Sequence, residues 1–380
     1  MNLATVTENV RAVADQFAED RADRQLRREL DSADFDQLKA AGLHLTGVLA
    51  EHGGLWESVA RSTRPICDLL RILASGDSSV ALVCSMHPAV LAFWLASPQV
   101  TPMSQARWDA QRVQVSQTAL QGEWWGTITS EPGSGGDVFK TKALARPDSN
   151  GYRITGQKHF GSGSGITSYM ITTAVVEGET EPDLFFMDMR DVPWDGSAGV
   201  KLIAPWDGHG MLATQSHGML FENVPATRCA WPGNIRNIAE AANGFIACTF
   251  TAVIVGIVET ALDTARRQLE KRASLGAYEQ VEWTHAEMEG WLIQHAFDGM
   301  LRSMEQKGSD ALRDALLGKT AVAELAESCM GRLCRVIGGG TYARRSPFGF
   351  WFQDVRALGF LRPPWVLAYT QLFQGGMHPA

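Results

Sequence analysis

The 380-residue sequence predicts an α+β protein in which a helical segment, a β-rich segment and a second helical segment follow one another. Apolar residues recur at helical spacing towards both ends of the chain. Between them, short β-branched and aromatic runs are separated by glycine and proline. Because strands and helices are segregated rather than alternating, the pattern favours α+β over a doubly wound fold. We predict an N-terminal helical domain at 1–122, a middle β domain at 123–234 and a C-terminal helical domain at 235–380.

The elements can be justified in chain order. The stretch DSADFDQLKAAGL predicts a helix that Asp31 or Ser32 caps and Gly42 terminates. The runs GYRITGQKHF, YMITTAVV and DLFFMDM predict strands of the middle domain. The longest apolar run, GFIACTFTAVIVGIV at 244–258, is short for a bilayer and continues into an amphipathic helix, so we expect a buried helix.

Charge and composition exclude several classes of protein. The formal net charge of −8 is spread without acidic or basic blocks, which argues against nucleic-acid binding. The N-terminus lacks the pattern of a signal peptide, so we expect a soluble cytoplasmic protein without a membrane partner. The six cysteines lack CxxC spacing, which predicts buried free thiols and no metal site. GSGSG at 161–165 lies among predicted strands, so it is not interpreted as a dinucleotide fingerprint.

Two motifs in the β segment carry candidate binding chemistry. In GTITSEPGSGGD, Thr127, Thr129 and Ser130 end a predicted strand where hydroxyls and amides can bond the polar edge of a planar heterocycle. Taken alone, this motif is also typical of an ordinary proline–glycine turn. About 25 residues later, GYRITGQKHFGSGSG offers Phe160 to cover one face of a ring and Ser162 to reach its edge.

These motifs are similar to those of the acyl-CoA dehydrogenase superfamily. TSEPGSGGD resembles that family's TEPGxGSD, and ITGQKHFGSG resembles its ING.K.WITNG. The resemblance extends in order through EHGG near the start, VGIVETALDTARRQLEKRASLG and the late IGGG, and so covers nearly the whole chain. It implies an N-terminal helical domain, a middle β domain and a C-terminal four-helix bundle. It also implies a homodimer or homotetramer that shares flavin sites across an interface.

The resemblance also assigns cofactor contacts. The isoalloxazine ring would be held by Thr127, Thr129, Ser130, Phe160 and Ser162. The dinucleotide part of FAD in the neighbouring subunit would lie against a second group, which comprises Arg272, Arg335, Gly338 and Gly339. Because the glycine pair is retained, FAD is expected rather than FMN. Gly136 departs from the family, which has serine at that position.

The largest departure concerns the catalytic base. The family's glutamate falls on Arg362, and the position that some branches use instead falls near the apolar Ile246. Arginine stays protonated and cannot remove an α-proton. FGSGSG resembles the branch that includes the dibenzothiophene and 4-hydroxyphenylacetate monooxygenases. That branch implies catalytic roles for Ser162 and for His87, a general acid/base suited to neutral pH. Arg362 would be a fixed cation beside the flavin, unless it simply pairs with Asp354.

Together these features predict a flavin-dependent oxygenase or oxidase acting on a cyclic or aromatic small molecule, either free or as a CoA thioester. Dioxygen would be the co-substrate and a peroxyflavin the oxidant, in catabolism or in specialised metabolism such as antibiotic biosynthesis. The flavin would be reduced by the substrate or by a partner flavin reductase. Two alternatives stay open: an acyl-CoA dehydrogenase with a displaced base, and a non-catalytic flavin-binding homologue.

Overall fold

The computed structural model describes residues 2–96, 100–306, 308 and 310–377. Helices occupy both ends of the described chain and strands occupy its middle, which confirms the predicted α+β class. The domain boundaries at residues 122 and 234 stay predictions.

The N-terminal part is helical. Its helices are α1 (Leu3–Glu19), α2 (Arg21–Arg24), α3 (Ser32–Ala40), α4 (Val59–Gly76), α5 (Ser78–Leu95) and α6 (Pro102–Leu120). Asp31 caps α3 as predicted, because its side chain accepts a hydrogen bond from the amide of Ala33 at 3.0 Å. Gly42, with φ of 90°, lies just beyond the helix in the left-handed conformation that terminates helices.

The middle part is a sheet of seven strands. They are β1 (Trp125–Thr127), β2 (Leu144–Asp148), β3 (Gly151–Gly161), β4 (Tyr169–Val176), β5 (Pro182–Asp188), β6 (Val200–Ala204) and β7 (His217–Arg228). Strands β4, β2, β3, β7 and β5 pair in that order, and β5 returns to pair with β4, so the ring of strands closes. β1 pairs with β4 and β6 with β7. The apolar side chains enclosed by these strands form a core of their own.

The C-terminal part begins with three long helices, α7 (Ile235–Leu269), α8 (Ala277–Gln306) and α9 (Ala311–Ile337). Two shorter helices follow, α10 (Pro347–Val355) and α11 (Trp365–Met377). α5 and α7 are long and apolar enough to cross a membrane, but 83% and 78% of their most apolar windows are buried inside the protein. Both are therefore core helices, as the sequence predicted for the run at 244–258.

The two helical parts share one apolar core. Val10 of α1, Leu70 of α4, Ile254 of α7 and Met330 of α9 all belong to it. A second core joins α5 and α6 to the strand ring through Trp94, which contacts Trp125 edge-on at 5.5 Å. α5 and α7 contact both the other helices and the sheet, so they border the space where these parts meet.

Candidate functional site

A cavity of about 600 Å³ lies where the helices meet the sheet. Its wall is largely apolar, with Phe93 of α5, Phe139 of the loop after β1, and Phe250 of α7 among its aromatic side chains. A cavity of this size, with apolar walls and a few polar groups, is typical of a small-molecule site. Four charged residues line it: Asp137, Arg236, Glu240 and Arg362.

The first motif supplies the polar edge of this cavity. Thr127 and Thr129 both line it, at the point where β1 ends. Ser130 follows immediately, and its carbonyl accepts a hydrogen bond from the amide of His159 at 2.8 Å. This bridge joins the end of the first motif to the second, so the structure brings Ser130 and Phe160 together as neighbours.

Phe160 has two unusual properties. Its φ of 59° is in the left-handed region, which non-glycine residues seldom occupy. Its side chain is also 60% exposed, with its ring edge-on to Trp206 at 6.2 Å. Strained backbone of this kind concentrates at functional sites. Neither Phe160 nor Ser130 lines the cavity, so their contact with a planar ring stays a prediction.

Ser162 lies in a buried chain of hydroxyls. Its Oγ and that of Ser216 are 2.7 Å apart, and Ser216 continues to Thr214 at the same distance. Ser162 does not line the cavity, in contrast to Thr127 and Thr129. Contact of Ser162 with a ring edge stays a prediction, and its hydroxyl is already bonded within the protein.

A buried ion pair joins the first motif to the second. The Nζ of Lys158 donates to Oε1 of Glu131 at 2.6 Å and to the carbonyl of Thr173 at 2.6 Å, and both side chains are buried. Oε2 of the same carboxylate accepts from the amide of Lys142 at 2.6 Å. Burial lowers the pKa of Lys158 to about 8, against the opposing effect of Glu131. The interpretation of the two motifs from sequence missed this pair, although its members belong to them.

His87 is placed differently from the prediction of a catalytic side chain. Its Nε2 lies 2.9 Å from the carbonyl of His44, and its Nδ1 accepts from the amide of Trp125 at 3.1 Å. Burial lowers the pKa of His87 to about 3, so the ring is neutral. The residue does not line the cavity, whereas Met86 and Ala89 beside it do. With both nitrogens bonded to backbone, His87 joins α5 to β1, and the catalytic role gains no support from this position.

Arg362, the residue that aligns with the family's glutamate, lies at the cavity wall. Its Nη2 is buried without a hydrogen-bond partner in the part of the chain that the structure describes. Burial lowers the pKa of Arg362 to about 10, and the charge of Asp137 opposes that shift. The guanidinium therefore remains a cation at neutral pH. Ile246, the other position of a family glutamate, lines the same cavity.

The alternative pairing of Arg362 with Asp354 is wrong. The Asp354 carboxylate accepts from Oγ of Ser78 and from the amide of Met211, each at 2.5 Å. These bonds tie α10 to the start of α5 and to the loop before β7. Burial raises the pKa of Asp354 to about 6.

Gly136, where the family pattern has serine, faces the segment that carries Arg362. A Cβ at Gly136 would lie 2.8 Å from Cγ of Pro364, and the φ of Gly136 is 80°. The serine of the family pattern would therefore collide with the proline that follows Arg362 in this chain. The loop at 131–137 packs directly against the segment that carries the cation.

The residues predicted to meet the dinucleotide part of FAD lie around the C-terminal end of α9. Arg272 donates to the carbonyls of Val336 and Ile337, at 3.1 and 2.9 Å, and thereby caps that helix. Arg335 bonds the carboxylate of Glu282 at 3.1 Å and remains largely exposed. Gly338 continues the chain with a φ of 93°.

The glycines that follow α9 leave open space. No atom would lie within 4 Å of a Cβ at Gly338 or Gly339. These residues belong to a group separate from the cavity wall, which fits the expectation that they meet a neighbouring subunit's cofactor. Arg272, however, already uses its guanidinium within its own chain.

Comparison with known proteins agrees with this architecture. Residues 126–224 match the acyl-CoA dehydrogenase middle domain. The whole chain superposes on the butyryl-CoA dehydrogenase of Megasphaera elsdenii with a TM-score of 0.81, 17% identity and complete coverage of both chains. FMN-bound TdsC from Paenibacillus sp. A11-2 gives a TM-score of 0.79 at 18% identity, covering 97% of this chain and 96% of that one. The middle-domain match and the shared fold agree with the acyl-CoA dehydrogenase resemblance read from the motifs.

Among curated proteins, the chain is 25% identical over 246 residues to the amino sugar nitrososynthase DnmZ of Streptomyces peucetius. That alignment covers 60% of this chain and spans 59% of the nitrososynthase. The similar proteins therefore include a dehydrogenase, an FMN-bound protein and a nitrososynthase.

Proposed function

We propose that this protein is a flavin-dependent oxygenase acting on a small cyclic or aromatic molecule. The observation that carries this proposal is Arg362, a cation at the cavity wall where the family's dehydrogenases hold a glutamate. A bound flavin would supply two electrons to dioxygen, so that one oxygen atom enters the substrate and the other leaves as water. Those electrons would come from a partner flavin reductase or from the substrate itself.

The residues of the chain suit this role in three ways. Thr127 and Thr129 offer hydroxyls to the polar edge of the ring system, and Phe160 offers an aromatic face. The apolar wall formed by Phe93, Phe139 and Phe250 excludes water and accepts an apolar substrate body. Arg362 holds positive charge at the substrate side, where it stabilises an oxyanion. The retained glycines Gly338 and Gly339 favour FAD, whereas TdsC is FMN-bound in its solved structure.

The test uses protein loaded with flavin whose identity is established by mass spectrometry of the released cofactor. The protein is reduced anaerobically and mixed with isotopically labelled dioxygen in the presence of indole, dibenzothiophene or phenylacetyl-CoA. Mass spectrometry then measures label in the product. We expect one labelled atom in a product from at least one of these compounds. Label confined to hydrogen peroxide and water with all three would contradict the oxygenase.

A dehydrogenase with a displaced base is the second candidate, because two carboxylates line the cavity. Asp137 lies two residues before the partly buried Phe139, and Glu240 is an exposed residue of α7. This candidate predicts anaerobic reduction of the flavin by an acyl-CoA, with formation of the enoyl product. It also predicts that Asp137→Asn or Glu240→Gln abolishes that reduction. The oxygenase predicts no enoyl product from either the parent protein or these variants.

A further inference from the structure

Among the residues that the structure describes, Arg362 forms no ion pair, although the charge of Asp137 attracts it. Nη2 of Arg362 is buried and lacks a hydrogen-bond partner in the described part of the chain. Buried charges are normally paired, because an unpaired one is costly to remove from water. An arginine that lines a cavity without a partner is therefore suited to a partner that arrives in the cavity.

The nearby charges do not neutralise it. Asp137 is close enough to attract the guanidinium, but its Oδ1 accepts from the amide of Phe139 at 3.0 Å and its Oδ2 lies 3.8 Å from Lys140. Lys158 repels it and is itself paired with Glu131. Arg236 and Glu240 face the same cavity from α7, and Arg236 is 3.6 Å from Glu181.

A second buried cation fixes the segment that carries Arg362. Lys319 of α9 is buried, and its Nζ donates to the carbonyls of Leu358 and Pro363, each at 2.9 Å. One carbonyl precedes Arg362 and the other follows it. On the opposite side, Pro364 packs against Gly136. The backbone at Arg362 is therefore held on both sides before any ligand binds, which lowers the entropic cost of using its side chain.

We propose that Arg362 is the anion subsite of this cavity, and that the substrate carries a carboxylate or enolate oxygen on an apolar body. The guanidinium would bind the oxyanion through its paired N–H groups, which match carboxylate geometry. The apolar body would lie against Phe93, Phe139 and Phe250. This proposal rests on the proposed function, because it names the substrate class of the same site, but it concerns binding alone.

The experiment measures binding to the oxidised, flavin-loaded protein by calorimetry, with phenylacetate and phenylacetamide as probes. The two differ in charge and share the aromatic body. We expect phenylacetate to bind about 10- to 100-fold more tightly, as for other charge-assisted hydrogen bonds. Arg362→Gln should remove this preference while phenylacetamide affinity stays within about threefold of the parent. Arg362→Lys should keep part of the preference, since it retains charge without the planar fork.

The matched control is Arg356→Gln, which removes the same charge from an exposed side chain in the same segment. It should leave the preference for phenylacetate unchanged. Thermal unfolding and flavin content show that each variant is folded. Equal affinity for the two probes, absence of binding by both, or a preference that survives Arg362→Gln would each overturn the anion subsite. Because no oxygen or electron transfer is involved, the subsite can be confirmed even if labelled oxygen never enters a product.

Discussion

Asp354, which is buried, and Arg362, which is half-buried with a buried Nη2, differ in how their charge is compensated. Arg362 lacks a bonded partner among the described residues, whereas Asp354 accepts hydrogen bonds from Ser78 and Met211. Those bonds only partly offset burial, so the pKa of Asp354 is raised from 3.8 to about 6. At this scale the Asp354 carboxylate is bonded within the protein, whereas the Arg362 guanidinium is the group that we propose for a ligand.

The Asp354 carboxylate should make stability fall as pH rises through a defined window. Between 3.8 and about 6 the folded state holds this proton more tightly than the unfolded state does, so each rise in pH favours unfolding. Above that window the ionised Asp354 lowers the free energy of unfolding by its full amount, about 3 kcal/mol for a pKa shift of this size. Asp354→Asn should raise the free energy of unfolding at neutral pH by about 1–3 kcal/mol and flatten the dependence in this window.

Urea unfolding at several pH values checks the Asp354 prediction. Asp207→Asn is the control, because Asp207 is exposed and its contact with Arg28 is long, at 3.3 Å. It should change neither the urea midpoint at neutral pH nor the dependence of stability on pH. An Asp354→Asn protein that is less stable than the parent at neutral pH would show that the charged form is favoured by the fold.

His87 should remain neutral wherever the protein is folded. Its pKa is lowered from 6.5 to about 3 by burial, and the carbonyl of His44 calls for a proton on Nε2. Nitrogen NMR of labelled histidine, assigned by the signal lost in His87→Gln, should show one neutral tautomer with Nδ1 unprotonated. The shifts should not move between pH values on either side of 6.5. A ring that titrates in that range would restore the general acid/base that the sequence suggested.

At the scale of elements, the loop at 131–137 and the segment after α10 are fitted to each other. Gly136 has a left-handed φ of 80°, and a Cβ added there would lie 2.8 Å from Cγ of Pro364. Gly133 has nearly the same φ, 79°, but open space around it. The same loop therefore contains one glycine required by conformation and contact and one required by conformation alone.

Restoring the family's serine should expose this difference. Gly136→Ser should destabilise the protein by about 2–4 kcal/mol, the sum of backbone strain and overpacking. Gly133→Ser should lose only about 1–2 kcal/mol, because it lacks the collision. Denaturant unfolding of Gly136→Ser, Pro364→Gly and the double variant then measures their coupling.

The collision with Pro364 should make the double variant about 1–3 kcal/mol more stable than the sum of the two single changes predicts. If the single changes simply add, Pro364 does not restrict Gly136, and the two departures from the family are independent. If Gly133→Ser is as costly as Gly136→Ser, backbone conformation alone explains both glycines.

These element-scale contacts also show what could be read from the sequence. The order of helices and strands follows from periodicity, and the match of the middle domain follows from motifs, because both signals are local in the chain. Alignment placed Arg362 in the cavity for the same reason. Lys319 and Glu240 were missed, because their positions depend on contacts between segments far apart in sequence. Glu131 and Lys158 could have been found, since a carboxylate and an ammonium in two neighbouring motifs suggest an ion pair.

At the scale of the molecule, the shared core of the N-terminal and C-terminal helices makes the cavity a property of the whole chain. Its wall draws on α5, the sheet, α7, α9 and the segment before α11. The outer side of α8 is different, because five large apolar side chains remain exposed there: Tyr278, Val281, Met288, Trp291 and Leu292. Their spacing puts them on one stripe of the helix. A contiguous exposed apolar stripe of this kind is typical of an interface.

We predict that a second copy of the chain covers the α8 stripe, in agreement with the homodimer or homotetramer that the superfamily implies. Met288→Lys/Trp291→Lys places two charges on it and should lower the mass measured by light scattering to that of a smaller assembly, since like charges would be desolvated at the interface. Met103→Lys/Val113→Lys is the control, because these exposed side chains lie on α6, away from the stripe. It should leave the mass unchanged.

A parent protein that is monomeric at micromolar concentration, or an assembly that survives the α8 charges and falls apart with the α6 ones, would place the interface elsewhere. Measuring flavin content alongside mass extends the test, because the glycines after α9 are expected to meet a neighbour's cofactor: loss of the assembly should then also weaken flavin retention.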